Sequence, residues 1–261
     1  MFFTENFKEI TSRDNPLIKH IAKLISSASY RYDTGLFVAE GLRICTDCME
    51  NRVEITTLIV TRGFYDKSIA EIEKYLPYIP EKIIVNSSVF DKISDTKNPQ
   101  GILVLGKIPQ KTASDIKKNG RYIALENLSD PSNLGAISRT AEALGVDGII
   151  LSGDSCDPFS PKVLRASMGT LLRMPVIVLP DFAEGIKNSG LKAFCCVVKG
   201  GEDIKTADFT DGSAVLIGNE ANGLTEEAKA LGKNVTIKMA GTAESLNAAA
   251  AAAIAMWELK K

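Results

Sequence analysis

Hydrophobic and polar positions follow two patterns along the 261-residue chain, one typical of strands and one typical of helices. Short apolar runs are typical of buried strands, and longer stretches with helical spacing separate them. In the first part of the chain this pattern predicts strands at 36–39, 55–60, 83–85 and 102–105 and helices at 42–49, 69–76 and 87–93. Further along, it predicts strands at 122–125, 148–151, 193–198, 214–217 and 235–237.

A polar, lysine-rich stretch separates these two groups of elements. We therefore predict a first α/β domain over residues 1–107, a linker over 108–120 and a second α/β domain over 121–261. Each domain is long enough to bury a hydrophobic core. In the second domain, strands alternate regularly with helices, which favours a parallel sheet.

Composition places the chain among ordinary globular proteins. The net charge is −1 and 45% of the residues are hydrophobic, yet no stretch approaches the roughly 20 apolar residues of a membrane span. The segment Met1–Lys8 lacks the long apolar core and small-residue cleavage site of a secretion signal. These features predict a cytoplasmic protein without a membrane partner.

The five cysteines indicate neither a disulfide framework nor a metal site. Their number is odd, and Cys195 and Cys196 lie inside an apolar run, so we predict buried free thiols. Cys45 and Cys48 form a single C-x-x-C within a helical pattern, without a second pair or a nearby histidine. His20, the only histidine, is expected at the surface or at the edge of the core.

Three segments of the second domain begin where an apolar run stops and end where a helical pattern begins. They are Glu-Asn-Leu-Ser-Asp-Pro-Ser-Asn-Leu-Gly-Ala-Ile-Ser-Arg at 126–139, Ile-Gly-Asn-Glu-Ala-Asn-Gly-Leu at 217–224 and Ile-Lys-Met-Ala-Gly-Thr-Ala-Glu-Ser-Leu-Asn at 237–247. Such segments lie at the carboxyl edge of a parallel sheet, where open α/β folds bind ligands. The three therefore predict one composite site.

In order and spacing, the three segments resemble the motifs of the SpoU family, the 2′-O-ribose RNA methyltransferases of the knotted SPOUT superfamily. The stretch 160–175 is similar to the family's middle segment, and the resemblance covers roughly residues 122–257. The sequence departs from the family at Ser132, where glycine is common, and at Ala248–Ala250, where Val-Ser-Val is usual. Neither departure affects a residue expected to carry chemistry.

The resemblance implies an α/β fold in which a smaller domain precedes a C-terminal parallel-sheet α/β trefoil knot. Segments 12–19 and 36–43 are similar to family members whose amino-terminal domain resembles ribosomal protein L30 and binds the RNA substrate. In that domain Glu40 and Arg43 would shape the surface that faces RNA. The family also dimerises through its knotted domain, which implies a homodimer.

The cofactor implied by the resemblance is S-adenosylmethionine. Neither a Gly-x-Gly-x-x-Gly after a strand nor a Walker A motif is present, so the common nucleotide fingerprints are missing. By resemblance, Gly218, Ile237 and Leu246 stand where family members contact the cofactor. Met239 and Leu246 would supply apolar contact for adenine, and Gly218 would allow close backbone approach. We expect Gly223 to adopt an unusual dihedral angle.

Arg139 is the strongest candidate for the transfer chemistry. At about 100° per residue it lies off the apolar stripe of its helix, so its guanidinium is free to face a ligand. In the family the matching arginine is proposed to activate the ribose hydroxyl. Because an arginine is very hard to deprotonate, we expect it to hold the adjacent phosphate and orient the hydroxyl.

Four further residues complete the predicted catalytic set. Asn133 is placed to cap its helix and to present an amide to the ribose. Glu220 is expected to orient Arg139 or Asn133. Ser245 and Asn247 are expected to hold the nucleotide or the loop, and helix capping is the alternative role for Ser245.

RNA contacts are expected mainly from the first domain. Near-neutral net charge requires that basic residues be segregated if RNA is the partner. Cations interleaved with Tyr30 and Tyr32 suit phosphate contact and base stacking, although a solvated charged face would give the same spacing. The candidates are Arg13, Lys19, Lys23, Arg31 and Arg43, together with Arg165 of the middle segment.

The resemblance therefore implies an S-adenosylmethionine-dependent RNA 2′-O-ribose methyltransferase, and we expect ribosomal RNA as its substrate. A transfer-RNA 2′-O-methyltransferase is the alternative within the class, and a non-catalytic RNA-binding or ribosome-assembly factor is the alternative outside it. The separate first domain favours ribosomal RNA. Intact Asn133, Arg139, Glu220 and Asn247 argue against a pure binding protein.

Overall fold

The structure is a computed structural model that describes residues 7–261, so most of the segment examined for a secretion signal lies outside the described residues. The chain forms two compact units. The smaller contains the residues up to Pro109 together with Phe159–Leu172, and the larger contains Gln110–Pro158 and Arg173–Lys261. The sequence boundaries assign residues 159–172 to the second domain, whereas by packing they belong to the smaller unit.

Five described strands form the sheet of the smaller unit, in the order β1-β4-β3-β5-β2. β5 is antiparallel to its neighbours β2 and β3, whereas β1, β4 and β3 run parallel to one another. The carboxyl ends of β1–β4 and the amino end of β5 therefore share one edge. The strands are β1 (Lys8–Ile10), β2 (Leu36–Glu40), β3 (Ile55–Thr61), β4 (Glu81–Val85) and β5 (Ile102–Lys107).

In the smaller unit, helices lie between consecutive strands along the chain, and one more helix comes from the later segment. They are α1 (Pro16–Ser26), α2 (Ala28–Thr34), α3 (Leu42–Glu50), α4 (Arg62–Ser68), α5 (Ser87–Lys92) and, from the later segment, α7 (Pro161–Ser167), which packs on β2. The predicted helix at 69–76 is wrong. Two 3-10 turns, Ile69–Glu71 and Glu73–Tyr78, occupy this stretch. Pro77 disfavours an α-helix in the second turn, because it lacks an amide proton and its ring clashes with the carbonyl four residues earlier.

The described strands of the larger unit form a seven-stranded sheet in the order β10-β12-β9-β11-β6-β7-β8, parallel throughout. The predicted parallel sheet is thus confirmed. β8 follows Pro175 directly and was missed by the pattern analysis. The strands are β6 (Arg121–Leu125), β7 (Gly148–Ser152), β8 (Val176–Leu179), β9 (Lys192–Cys196), β10 (Glu202–Asp203), β11 (Ser213–Ile217) and β12 (Gly232–Thr236).

Two helices of the larger unit pack on each other beside the sheet. α11 begins with an alanine run whose Ala252 and Ala255 are fully buried, and these small side chains let it lie close against α6. The other helices are short. In full, the helices are α6 (Pro131–Ala143), α8 (Thr170–Arg173, of which Arg173 alone belongs to this unit), α9 (Phe182–Ser189), α10 (Glu226–Lys229) and α11 (Ala248–Lys260).

Strand order in the larger sheet brings distant segments together at its carboxyl edge. β9, β11 and β6 are consecutive neighbours, and the register pairs Ile217 at the end of β11 with Leu125 at the end of β6. The loops that follow these strands therefore emerge side by side. No helix among residues 7–261 is long and apolar enough to cross a bilayer.

Candidate active site

A cavity of about 450 Å³ lies at the carboxyl edge of the larger sheet. The ends of β9 and β11, the segment after β12 and the start of α11 surround it. All four residues expected to contact a cofactor, Gly218, Ile237, Met239 and Leu246, line this cavity. Ser245 lines it as well and is exposed.

Gly218 is required by the protein backbone itself. A Cβ atom at this position would lie 2.1 Å from the carbonyl carbon of Gly223 and 2.1 Å from the amide nitrogen of Leu224. The turn that follows is closed by paired backbone hydrogen bonds between Asn219 and Gly223. Gly223 has a φ of 68°, as its position in the sequence suggested. The space beside Gly218 is therefore filled by this turn and not reserved for a ligand.

Three predicted catalytic residues form one hydrogen-bonded chain. Asn133 donates from Nδ2 to Glu220 Oε1 over 2.9 Å, and Asn247 donates from Nδ2 to Asn133 Oδ1 over 3.0 Å. Asn247 Oδ1 in turn accepts from the amides of Ala249 and Ala250 at the start of α11. Each partner fixes the orientation of the next amide group. The first, second and third motifs are thereby joined.

Glu220 receives further donors from the loop after β6. The amide and hydroxyl of Ser129 donate to Oε2 over 3.2 and 2.9 Å, and the amide of Asp130 donates to Oε1 over 3.1 Å. Partial burial opposes ionisation, but the hydrogen bonds from Asn133 and Ser129 outweigh it and lower the pKa of Glu220 to about 2. Glu220 is thus a fixed carboxylate at neutral pH and not a proton acceptor.

Asn133 does not cap α6 as predicted. α6 is capped by Asp130, whose Oδ1 accepts from the amide of Ser132. Asn133 is buried, and its amide bridges Glu220 and Asn247. It therefore holds the three motifs together. The N-cap of α11 is Asn247, so the alternative capping role considered for Ser245 is wrong.

Arg139 lies on α6, two turns beyond Asn133, and is exposed. The stripe residues Leu134, Ile137 and Ala141 are buried, as the periodicity predicts. Within residues 7–261, neither a hydrogen bond nor an ion pair engages its guanidinium, so Glu220 holds Asn133 and not Arg139. An exposed arginine without an internal partner is available to an anionic ligand.

One residue that joins the motifs was missed by sequence reasoning. Glu126, at the end of β6, is buried and accepts from the amide and the hydroxyl of Thr225 over 2.8 and 2.7 Å. The bond ties the first motif to the start of α10. A carboxylate placed immediately after an apolar strand was the available signal, because such a group is buried only with donors around it.

The predicted RNA contacts fall into two groups. Arg13, Lys19, Lys23 and Arg43 are exposed, with Lys19 paired to Asp14 over 3.2 Å. Lys23 also stands over the ring of Tyr30 at 4.1 Å, and Tyr30 hydrogen-bonds the partly buried His20.

Arg31 and Arg165 are engaged inside the smaller unit. Arg31 is buried and donates to the backbone carbonyls of Leu24 and Ile25, so it secures the end of α1 and has no surface for RNA. Arg165 is half-buried and pairs with Asp95 over 2.5 Å. The sequence pattern cannot distinguish such internal arginines from surface ones. We remove Arg31 from the predicted RNA set.

The cysteines are free thiols, and Cys45, Cys48 and Cys195 are buried. Burial raises the pKa of Cys45 well above its ordinary value, and that of Cys196 to about 11. Among residues 7–261, no three His, Cys, Asp or Glu side chains converge as a metal-ligand set.

Comparison with known proteins agrees with this geometry. Residues 120–257 match the SpoU rRNA Methylase family model, and residues 15–104 match the MRM3-like substrate binding domain. The chain belongs to the SpoU family of RNA methyltransferases. The predicted fold class, a SPOUT-type knotted α/β domain preceded by a smaller α/β domain, is confirmed.

Relatives of known activity and structure extend over nearly the whole chain. The chain is 27% identical to the 23S rRNA (guanosine(2553)-2′-O)-methyltransferase of Bacillus subtilis, covering 97% of this chain and 99% of that protein. It is 28% identical to the 23S rRNA (uridine(2479)-2′-O)-methyltransferase of Streptomyces viridochromogenes, covering 96% and 91%. An AdoMet-bound rRNA methyltransferase from Sinorhizobium meliloti superposes with a TM-score of 0.82 at 33% identity, covering 97% of each chain.

Proposed function

We propose that the protein transfers a methyl group from S-adenosylmethionine to a ribose 2′-hydroxyl of 23S ribosomal RNA. The observation that carries this proposal is the bonded chain Glu220–Asn133–Asn247, whose Glu220 lines the cavity, with Arg139 exposed on the same helix as Asn133. Two relatives are named as 23S rRNA 2′-O-methyltransferases and differ in the nucleotide that they modify, guanosine 2553 and uridine 2479.

The cavity fits the proposed cofactor. Its volume of about 450 Å³ lies within the range of small-molecule sites. Ile237, Met239 and Leu246 provide apolar surface for an adenine ring, and backbone groups near Gly218 provide polar contacts. When bound, the sulfonium supplies an electrophilic methyl group.

The residues of the chain position the substrate for this transfer. Arg139 holds the phosphate beside the target ribose, because a guanidinium binds phosphate in a bidentate manner and does not lose its proton. Glu220 keeps Asn133 and the loop after β6 in place. Ser245 contacts the nucleotide from the cavity rim. Fixing the hydroxyl in line with the methyl group supplies much of the rate acceleration.

Mapping of ribose methylation tests this function directly. The 23S rRNA of cells with and without the protein is compared, and we expect one 2′-O-methyl site to vanish in its absence. Purified protein should restore that site on the unmodified RNA. A lost site in transfer RNA would instead establish the alternative substrate. Tight RNA binding without any methyl transfer would establish a binding factor.

We further propose that the protein is a homodimer through its larger unit. On α11, Ala250, Ile254 and Trp257 share one exposed face, and the side chains of Ile254 and Trp257 are 38% and 58% exposed. Such an apolar strip is stabilised by covering it with a second chain. Sedimentation should show a dimer that Trp257→Glu weakens. Tyr78→Glu, at an 83% exposed aromatic of the smaller unit, is the matched control.

A further inference from the structure

One loop of the smaller unit is unusually well anchored for an exposed segment. Residues 94–101 precede β5 and lie at the edge where β1–β4 end. The buried carboxylate of Glu40 accepts from Ser94 Oγ over 2.5 Å, the Asp95 amide over 2.8 Å and Thr96 Oγ1 over 2.7 Å. Donors surrounding a buried carboxylate in this way restrict the loop to one conformation.

The far end of the same loop is also fixed. Gln100 Oε1 accepts from the amide of Leu42 over 2.7 Å, and the Thr61 amide donates to the carbonyl of Gly101 over 2.8 Å. Asp95 pairs with Arg165 of α7. The tip between these anchors presents Lys97 and Asn98, both exposed.

Among the described residues, two cations at this edge lack the kind of ion pair that Arg165 makes here with Asp95 and that lysines make at the opposite edge. In the described part of the chain, Lys97 and Arg43 have no ion-pair partner. Arg43 is close to Glu40 in sequence, and Lys97 follows Thr96, which hydrogen-bonds Glu40. At the opposite edge, Lys8 pairs with Glu81 over 3.2 Å and Lys107 pairs with Glu54 over 2.6 Å. Unpaired cations at one edge create a surface suited to a polyanion.

A groove completes this surface. It has a volume of about 300 Å³ and lies between the loop and the helices α4 and α5. Its lining includes Lys67, Ser87 and Gln100, which offer a positive charge and hydrogen-bonding groups to a nucleotide, and also the carboxylate of Asp91.

We infer that residues 94–101 form an RNA-contacting loop, in which Lys97 binds a backbone phosphate and buried Glu40 is the positioning residue. The inference rests on the proposed RNA substrate. It adds Lys97, which is not among the basic residues that the sequence suggested as RNA contacts. Rigid presentation matters because a preordered loop loses less conformational entropy on binding.

Two lysines that flank the same strand give a matched test. Lys97 precedes β5, and Lys107 ends it at the opposite edge. With an unmodified 23S rRNA transcript as substrate, Lys97→Ala should raise the KM for RNA several-fold and leave kcat and S-adenosylmethionine affinity unchanged. The slope of log affinity against log salt should fall by about one. Lys107→Ala should leave all four quantities unchanged.

Glu40 is tested by its effect on the loop as well as on RNA. Glu40→Gln should speed hydrogen exchange at the Asp95 amide and raise the KM for RNA without altering S-adenosylmethionine affinity. Thr96→Val, which removes one of the three donors, should speed this exchange and raise the KM for RNA to a smaller degree. It keeps the test decisive if Glu40→Gln does not fold.

Equal effects of Lys97→Ala and Lys107→Ala would overturn the RNA contact while leaving the proposed function intact. Unchanged exchange at Asp95 in both Glu40→Gln and Thr96→Val would overturn the positioning role. If the wild-type protein methylated no RNA at all, the proposed function would fail and the RNA contact with it, and hydrogen exchange would still decide whether Glu40 anchors the loop.

Discussion

The carboxyl edges of the two sheets carry polar residues of opposite character. At the larger sheet, Glu220, Asn133 and Asn247 satisfy one another through short hydrogen bonds around a cavity. At the smaller sheet, Arg43 and Lys97 point from the edge without a partner among residues 7–261. The first edge bonds its polar groups to one another, whereas the second combines a loop anchored by Glu40 with unpaired cations that attract a polyanion by charge.

Because of this difference, substitutions in the bonded network and substitutions of the exposed cations should have different effects. A prearranged network resists salt and fails abruptly when one member is lost, because each bond orients the next. Contacts between exposed cations and phosphates are individually weak, additive and strongly dependent on salt. Arg139 is an exposed cation on the same helix as the network residue Asn133, and it has no ion-pair partner among residues 7–261.

Arg139→Ala should reduce methyl transfer by about a hundredfold or more, because the variant loses the guanidinium that is proposed to hold the phosphate beside the reacting ribose. S-adenosylmethionine affinity and the fold should be nearly unchanged, since Arg139 has no internal contact to lose. Calorimetry with the cofactor and a tritium-transfer assay measure the two effects. Arg139→Lys should rescue little, since an ammonium lacks the planar fork.

Thr140→Ala, at the next position of α6, is the control for Arg139. Its hydroxyl bonds only within the helix, to the carbonyl of Ala136. Near-normal turnover by Arg139→Ala would remove this arginine from the mechanism and would place the transfer chemistry entirely in the bonded network.

Gly218→Ala should lower S-adenosylmethionine affinity by about tenfold or more, because its methyl group would displace the turn that lines the cavity. Gly223→Ala is the informative control. A Cβ atom there meets nothing within 4 Å, and the cost is confined to the left-handed backbone, about 1 kcal/mol. Equal affinities for the two variants, measured by calorimetry, would show that the turn does not shape the cofactor site.

The sequence predicted which candidate residues lie at one sheet edge better than it predicted the bonds among them. The three motifs were placed at one sheet edge by strand ends alone, and the structure brings Asn133, Glu220 and Asn247 into contact. Which partner Glu220 holds could not be read from spacing, because it depends on the register of β11 against β6. Capping by Asp130 instead of Asn133 is likewise decided by where α6 begins.

The fold shows the same limit. Periodicity found most of the buried strands, because each sheet buries continuous apolar runs, but it missed β8. It failed at Ile69–Glu71 and at the following turn, Glu73–Tyr78, where Pro77 overrides a helical pattern. It also missed that residues 159–172 pack with the smaller unit, since contacts between distant parts of the chain leave no local period.

Arg31→Ala should reduce the free energy of unfolding by about 2 kcal/mol, because it removes charge-assisted bonds to buried helix carbonyls. Arg13→Ala, at an exposed arginine of the same unit, should leave stability unchanged. Urea unfolding measures both. A loss of RNA affinity by Arg31→Ala with full stability retained would return this residue to the RNA surface.

The carboxyl group of Glu220 should titrate near pH 2, and Asn133→Ala should move its midpoint upward toward the ordinary value of 4.5. A depressed pKa means that the bonds to Glu220 stabilise the fold above the unfolded-state value and are lost as the pH falls through about 2. Carbon-13 detection of the carboxyl signal measures the midpoint. Asn222→Ala, in the same turn, should not move it, and a normal midpoint in the wild type would contradict the network.

Arg43→Ala should have the smallest effect, a few-fold loss of RNA affinity at low salt that disappears as salt rises. The reason is that an exposed cation releases about one counterion equivalent from RNA, so its removal lowers the salt slope by about one and changes nothing in the cavity. Filter binding of an unmodified 23S rRNA transcript across a salt series measures this slope. If the loss persisted unchanged at high salt, Arg43 would act through a salt-resistant contact like those of the larger unit, and the contrast between the two sheet edges would no longer hold.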